Sequence, residues 1–415
     1  MATQIRIEPE TINPLDVSRA ELWSKDVWQE PMRQLRAESP IYYCEDSKFG
    51  PYWSVTTYKP IQHIEALPKI FSSSWEYGGI TVAGDGLEHL QEGDVPMPMF
   101  IAMDPPQHTA QRRTVAPAFG PSETDRMRAD TLKRTSDVLD SLPVGKPFDW
   151  VEKVSIELTT QMLAILFDFP WEERHKLTGW SDALGDIESF NTLEERQARL
   201  ATAFEMGAAF RQLWDRKAQN PGQHDLISIM LKSDAMSHMS ENEFMGNLIL
   251  LIVGGNDTTR NSLSGSVYAL NKFPDQYEKL RANPKLVENL VPETVRWQTP
   301  LAHMRRTALA DAEVGGKQIK KGDRVVMWYV SGNRDEEIFQ NADDFILERP
   351  NSRNHISFGF GIHRCLGLRL AELQLRIVWE EILKRFDRIE VLDEPKRVYS
   401  NFVKGYESLP VRIVG

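Results

Sequence analysis

The chain has 415 residues, 41% of them hydrophobic, and a formal net charge of −11. That is enough apolar material for a large core, the acidic balance argues against general nucleic-acid binding while leaving room for a local basic patch, and two cysteines exclude a disulfide framework. Residues 1–26 are polar and acidic, and the longest continuous apolar run spans only residues 248–253, so neither a signal peptide nor a membrane anchor is expected and a reducing cytoplasm is the expected location.

In chain order, the first element is residues 40–58. Ile41, Tyr42 and Tyr43, then Phe49-Gly50-Pro51, then Tyr52, Trp53, Val55, Thr56 and Thr57 read as two strands around a turn. Residues 78–100 carry glycines and prolines without a period, which predicts a long loop. Met103-Asp104-Pro105-Pro106 then leads into a helix on which His108 and Arg112, four apart, share a face. Two cationic groups on one face suit an anion, although a solvated face has the same pattern. From residue 123 to 220 the apolar period is helical, broken at Pro143, Pro147, Pro170 and Leu184-Gly185, with Trp180, Phe190, Phe204 and Phe210 expected in the core.

Ser240-Glu241-Asn242-Glu243 is a capping-box signal. About 30 helical residues follow it, a helix of roughly 50 Å that crosses the molecule. In its middle stands Gly254-Gly255-Asn256-Asp257-Thr258-Thr259. Consecutive glycines inside a helix cost about 1 kcal/mol each relative to alanine, so they must open a groove for something. Thr258 is able to bond an upstream carbonyl, and an acid beside an alcohol is able to relay protons. A salt-bridged structural Asp257 is the alternative.

Glu293 and Arg296 share a helix face, as do Glu278 and Arg281, a surface pair; Pro292, directly before Glu293, must kink that helix or begin it. Residues 299–308 read as a strand on which Arg305 and Arg306 face opposite ways, and residues 313–328 as a hairpin with glycine turns. Then comes Phe358-Gly359-Phe360-Gly361-Ile362-His363-Arg364-Cys365-Leu366-Gly367. Its glycines let the loop lie against a flat ligand. Leu366, Leu370, Leu373, Ile377 and Ile382 turn helical from there, so Cys365 sits at a helix N-terminus, a place that favours thiolate. Cys44 reads as a small buried hydrophobe.

This ten-residue pattern resembles the haem-binding loop of the cytochrome P450 superfamily at every fixed position. The Asp-Pro-Pro lead-in with His108 and Arg112, the Gly-Gly-Asn-Asp-Thr-Thr segment, and Glu293-x-x-Arg296 with Arg349 resemble its other motifs, in order. The resemblance implies a single domain over residues 1–415, mainly α with a small β portion: a triangular helical prism with a long central helix over the haem and a minor β lobe. It implies haem b with Cys365 as axial ligand, donating electrons that favour O–O cleavage. His108, Arg112, Arg306 and His363 would contact the propionates, Asp257 and Thr258 would deliver protons, and Glu293, Arg296 and Arg349 would form a buried ion cluster. The loop of residues 78–100 would roof the pocket, and the turn of residues 400–405 would enter it.

Segments 98–104, 296–304 and 401–407 resemble the bacterial group that hydroxylates terminal carbons of alkanes and fatty acids, which places Leu250, Val253, Gly254, Leu301, Ala302 and Val403 in the substrate pocket. No flavin domain is evident, so electrons are expected from an iron–sulfur ferredoxin and its reductase, steered by Arg113, Arg364 and Arg369. A hydroxylase of a bulkier terpene- or steroid-like substrate, a peroxide-driven enzyme and a non-catalytic haem protein stay open as alternatives.

Overall fold

The helix Glu241–Lys272, 32 residues long, organises the packing. The computed structural model describes residues 13–84, 95–186 and 192–415. Ser240 caps the helix by accepting from the Glu243 amide at 3.3 Å. Only half of the expected capping box forms, because the Glu243 carboxylate accepts from Gln111 instead. Phe244, Leu248 and Ile252 enter one core with Phe167, Trp180 and Phe210. Leu263, Val267 and Leu270 enter a second with Trp150, Leu290 and Trp379. A helix buried on most of its circumference also buries polar side chains, which find partners: Thr159 donates to Asn256 at 2.7 Å, and Ser155 and Ser264 meet at 2.9 Å.

Pro121–Asp140, Glu157–Phe167, His175–Gly185 and Leu193–Gln219 are helices, with breaks where the prolines and Gly185 predict them. Trp180 and Phe210 are buried, but Phe204 is 48% exposed. It lies on the outer face of Leu193–Gln219, whose inner face carries Ala203, Met206 and Phe210. Phe190 lies outside the described residues.

The main sheet has the order Ile41–Cys44, Tyr52–Val55, Arg324–Met327, Met304–Ala308, Phe71–Ser72. The first two strands form the predicted hairpin, with Ile41 opposite Val55. The second stops short of Thr57, which instead precedes the helix Tyr58–Glu65. Residues 313–328 are more than one hairpin: Ala312–Val314 pairs with Lys317–Ile319, and Arg324–Met327 leaves to join the main sheet. Cys44 is fully buried, and desolvation, with help from Asp16, pushes its thiol up to about 12.

Glu293 accepts two bonds from Arg296 at 2.8 Å and a forked one from Arg349 Nε at 3.1 and 3.2 Å, and Glu293 and Arg296 are inaccessible to solvent. The helix Val287–Gln298 contains Pro292 rather than beginning at it. Proline donates nothing to the carbonyl four residues back, and that carbonyl, of Glu288, accepts from Arg353 at 3.3 Å. Glu278 and Arg281 do not pair with each other: Glu278 takes Arg388 and Arg281 takes Asp387, both at 3.1 Å.

Glu293→Gln should destabilise the fold by about 3–5 kcal/mol in urea unfolding, because two buried guanidiniums lose their shared counter-ion. A loss below about 1 kcal/mol would contradict this account of the cluster.

Candidate functional site

A cavity of about 550 Å³ opens between the middle of the central helix and the loop carrying Cys365. The two glycines of the helix divide the work. A side chain at Gly254 would meet no heavy atom within 4 Å, whereas at Gly255 it would lie 2.8 Å from Leu163. One opens the groove and the other lets a neighbouring helix approach. The Thr258 hydroxyl donates to the Gly254 carbonyl at 2.8 Å, the upstream bond its position predicts.

On the opposite wall, the Cys365 amide donates to Phe358 O at 2.8 Å. Gly359 and Gly361 hold φ of +69° and +67°, which favour glycine. The helix Leu368–Arg385 begins three residues after Cys365, so the thiol stands just ahead of the first turn. It faces the cavity, to which it is exposed. Burial pushes the thiol up against the pull of the Gly367 and Leu368 amides, Arg112 and Arg364. The amides of the helix terminus favour thiolate as expected, desolvation opposes them, and a bound metal ion would deprotonate the sulfur outright.

His108, Arg112, Arg306 and His363 all line the cavity. The two imidazoles lie 4.1 Å apart, and His363 Nε2 meets Ser73 Oγ at 2.8 Å. Both ring nitrogens of His108, and Nδ1 of His363, are buried without a hydrogen-bond partner. Burial pushes His108 down to about 4, with Arg112 and Arg306 adding to the shift and Asp104 opposing it. Orphaned donors beside two guanidiniums fit an anionic group such as the carboxylates of a haem. Arg305 points the other way, to Tyr77 O at 3.2 Å. Among the described residues no group of three His, Cys, Asp or Glu side chains is placed to hold a metal.

Asp257 and Thr258 line the cavity but do not bond to each other. The Asp257 carboxylate accepts from Arg260 at 2.7 Å, Ser181 at 3.1 Å and Asn256 at 3.2 Å. Arg260 also holds Asp182 at 2.8 Å. Desolvation raises Asp257 to about 6 against the pull of Arg260, so the acid exchanges its proton near neutrality.

Of the expected pocket residues, Leu250, Val253, Gly254 and Leu301 line the cavity; Ala302 and Val403 do not. Ala302 packs with Trp23, Trp28 and Trp328. Val403 pairs with Leu301 through the backbone, and its neighbour Phe402 reaches the cavity instead. Met99 and Phe100, from the end of the long loop whose residues 85–94 lie outside the described ones, and the adjoining Ile101 also line it. Sequence reasoning missed Glu65, which holds Arg306 at 3.3 Å and Tyr329 at 2.6 Å. The only local signal was a short Ile61–Ile64 spacing after Thr57.

The family model described as Cytochrome P450 matches residues 122–405. Two solved structures superpose over nearly the full length. Cytochrome P450-153 from Novosphingobium aromaticivorans is 53% identical with a TM-score of 0.91, covering 96% of this chain and 99% of its own. CYP153D17 from Sphingomonas sp. PAMC 26605 is 57% identical with a TM-score of 0.92, covering 97% and 100%. Linalool 8-monooxygenase of Pseudomonas putida is 36% identical, over 96% of this chain and 98% of that protein.

Because the fold raises Asp257 from 3.8 to about 6, its contribution to stability is fully present below 3.8 and is lost as pH rises through 6. Relative to Asp257→Asn, the native protein should therefore lose roughly 1–2 kcal/mol between about pH 5 and pH 7.5. Urea unfolding of both proteins at the two pH values measures it, and parallel pH profiles would contradict the shift.

Proposed function

Because this chain belongs to the cytochrome P450 family, a family of haem b proteins with an axial cysteine thiolate, we propose that it hydroxylates the terminal carbon of medium-chain alkanes or fatty acids. Monooxygenase chemistry is the activity carried in the names of its relatives. Bound at this site, the haem supplies oxygen activation and oxidation of the C–H bond. Cys365 is the ligand to its iron, and His108, Arg112, Arg306 and His363 hold its propionates.

The chain's own residues account for the rest. Thr258 holds a proton at Oγ1 above the groove opened by Gly254, and Asp257 resupplies it through exchange near neutral pH. Leu250, Val253, Leu301 and Phe402 form apolar walls that orient an unbranched chain without polar handles. This apolar lining beside Thr258 is the observation that carries the substrate reading. Electrons come from an iron–sulfur ferredoxin and its reductase, steered by the exposed Arg113, Arg364 and Arg369. The likeness to a linalool hydroxylase supports a second reading, a branched terpenoid substrate.

Purified enzyme, a surrogate ferredoxin, its reductase, NAD(P)H and dodecanoic acid or dodecane should yield the terminal alcohol by gas chromatography and mass spectrometry. Subterminal alcohols, or turnover of linalool alone, would favour the second reading. Thr258→Ala should raise NAD(P)H consumption per product severalfold, and unchanged coupling would remove Thr258 from proton delivery.

A further inference from the structure

Four separate elements converge on one buried carboxylate behind the cavity wall. Glu65 ends the helix Tyr58–Glu65 and is 4% exposed. Its Oε1 accepts from the Tyr329 hydroxyl at 2.6 Å and from Arg306 Nη2 at 3.3 Å, and its Oε2 accepts from the Phe360 amide at 2.7 Å. Arg306 comes from the strand Met304–Ala308, Tyr329 from the start of a short helix, and Phe360 from the loop that carries Cys365. The loop rests directly on the helix end, since a side chain at Gly361 would run into the Glu65 carbonyl.

A buried carboxylate with three charge-assisted or hydroxyl bonds is an unusual thing to retain unless something nearby needs it. Arg306 and Tyr329 both line the cavity, while Glu65 does not. Glu65 therefore acts on the cavity through its partners. Resting on the haem reading of the site, we infer that Glu65 is a positioning residue: it fixes Arg306 at the cavity wall, pins the Cys365 loop at Phe360, and offsets the Arg306 charge felt by the cofactor.

The sign of the electrostatic effect follows from Coulomb's law. An uncompensated cation close to the cofactor favours its electron-rich, reduced form. With Glu65 ionised, that pull is partly cancelled, so the reduction potential is held lower than Arg306 alone would set it. Glutamine in place of Glu65 keeps the shape and removes the charge. It also turns an acceptor into a donor facing either the Phe360 amide or Arg306. Aspartate keeps the charge.

The test uses haem-loaded full-length protein and measures the ferric–ferrous potential by dye equilibration. Glu65→Gln should raise the equilibrium constant for reduction two- to tenfold, and Glu65→Asp should stay within twofold of the native protein. A merely structural role would move folding stability and leave the potential in place, so an unchanged potential in Glu65→Gln overturns the inference. Should that variant fail to fold, Tyr329→Phe removes one bond to the same carboxylate and no charge. It should lose haem to apomyoglobin several times faster than the native protein, and an unchanged rate overturns the inference as well. A native chain that takes up no haem overturns both this inference and the reading of the site beneath it, whereas native haem uptake with an unmoved Glu65→Gln potential overturns this one alone.

Discussion

The carboxylate of Glu293, shared between Arg296 and Arg349, fixes the thiol side of the site from a distance. Arg296 donates onward to Asn333 O at 2.9 Å. Asn333 in turn accepts from the Ile356 amide and donates to Ser357, each at 2.8 Å, and Ser357 donates back to Val295 O at 2.7 Å. Residues 356 and 357 are the run-in to the Cys365 loop. A buried ion cluster is weak evidence for net stability, but here it sets a geometry: the helix Val287–Gln298 and the start of the thiol loop are locked in one register. Three residues further along the chain, Glu65 holds the Phe360 amide.

The opposite wall is fixed by different physics. The central helix is anchored in two apolar cores on either side of its glycines, which holds its middle opposite the thiol loop. Gly254 leaves space and Thr258 bonds back over it. Asp257 turns from the same turn of helix toward Ser181 and Arg260, so the acid sits between the cavity and Arg260 of its own helix, which in turn holds Asp182 of the neighbouring helix. In the proposed proton delivery, Asp257 is the exchanging group, raised to about 6, and Arg260 with Asp182 fixes its position. The salt-bridged and proton-carrying descriptions of Asp257 are compatible.

Features set by local pattern were legible in the sequence. The glycine spacing around Cys365, the four-residue step from His108 to Arg112, the strand alternation that separates Arg306 from Arg305, and the glycines of the central helix each state their geometry within a few residues. Features set by contacts across the chain were not. Glu65 and Arg306 are 241 positions apart, and nothing around either announces the other. Val403 gave way to Phe402 because the backbone pairing with Leu301, itself a tertiary contact, decides which side chain turns inward. The Cys365 thiol divides the same way: the helix terminus that favours thiolate is readable in sequence, whereas the desolvation that opposes it depends on the whole cavity.

The central claim is that Cys365, and not Cys44, is the thiolate at the heart of the site. The direct measurement is the absorption spectrum of the reduced protein under carbon monoxide, for the native chain, Cys365→Ser and Cys44→Ser. The account predicts the long-wavelength Soret band of a thiolate-ligated carbonyl haem in the native protein and in Cys44→Ser, and its loss in Cys365→Ser. Retention of that band in Cys365→Ser, or its loss in Cys44→Ser alone, would contradict it.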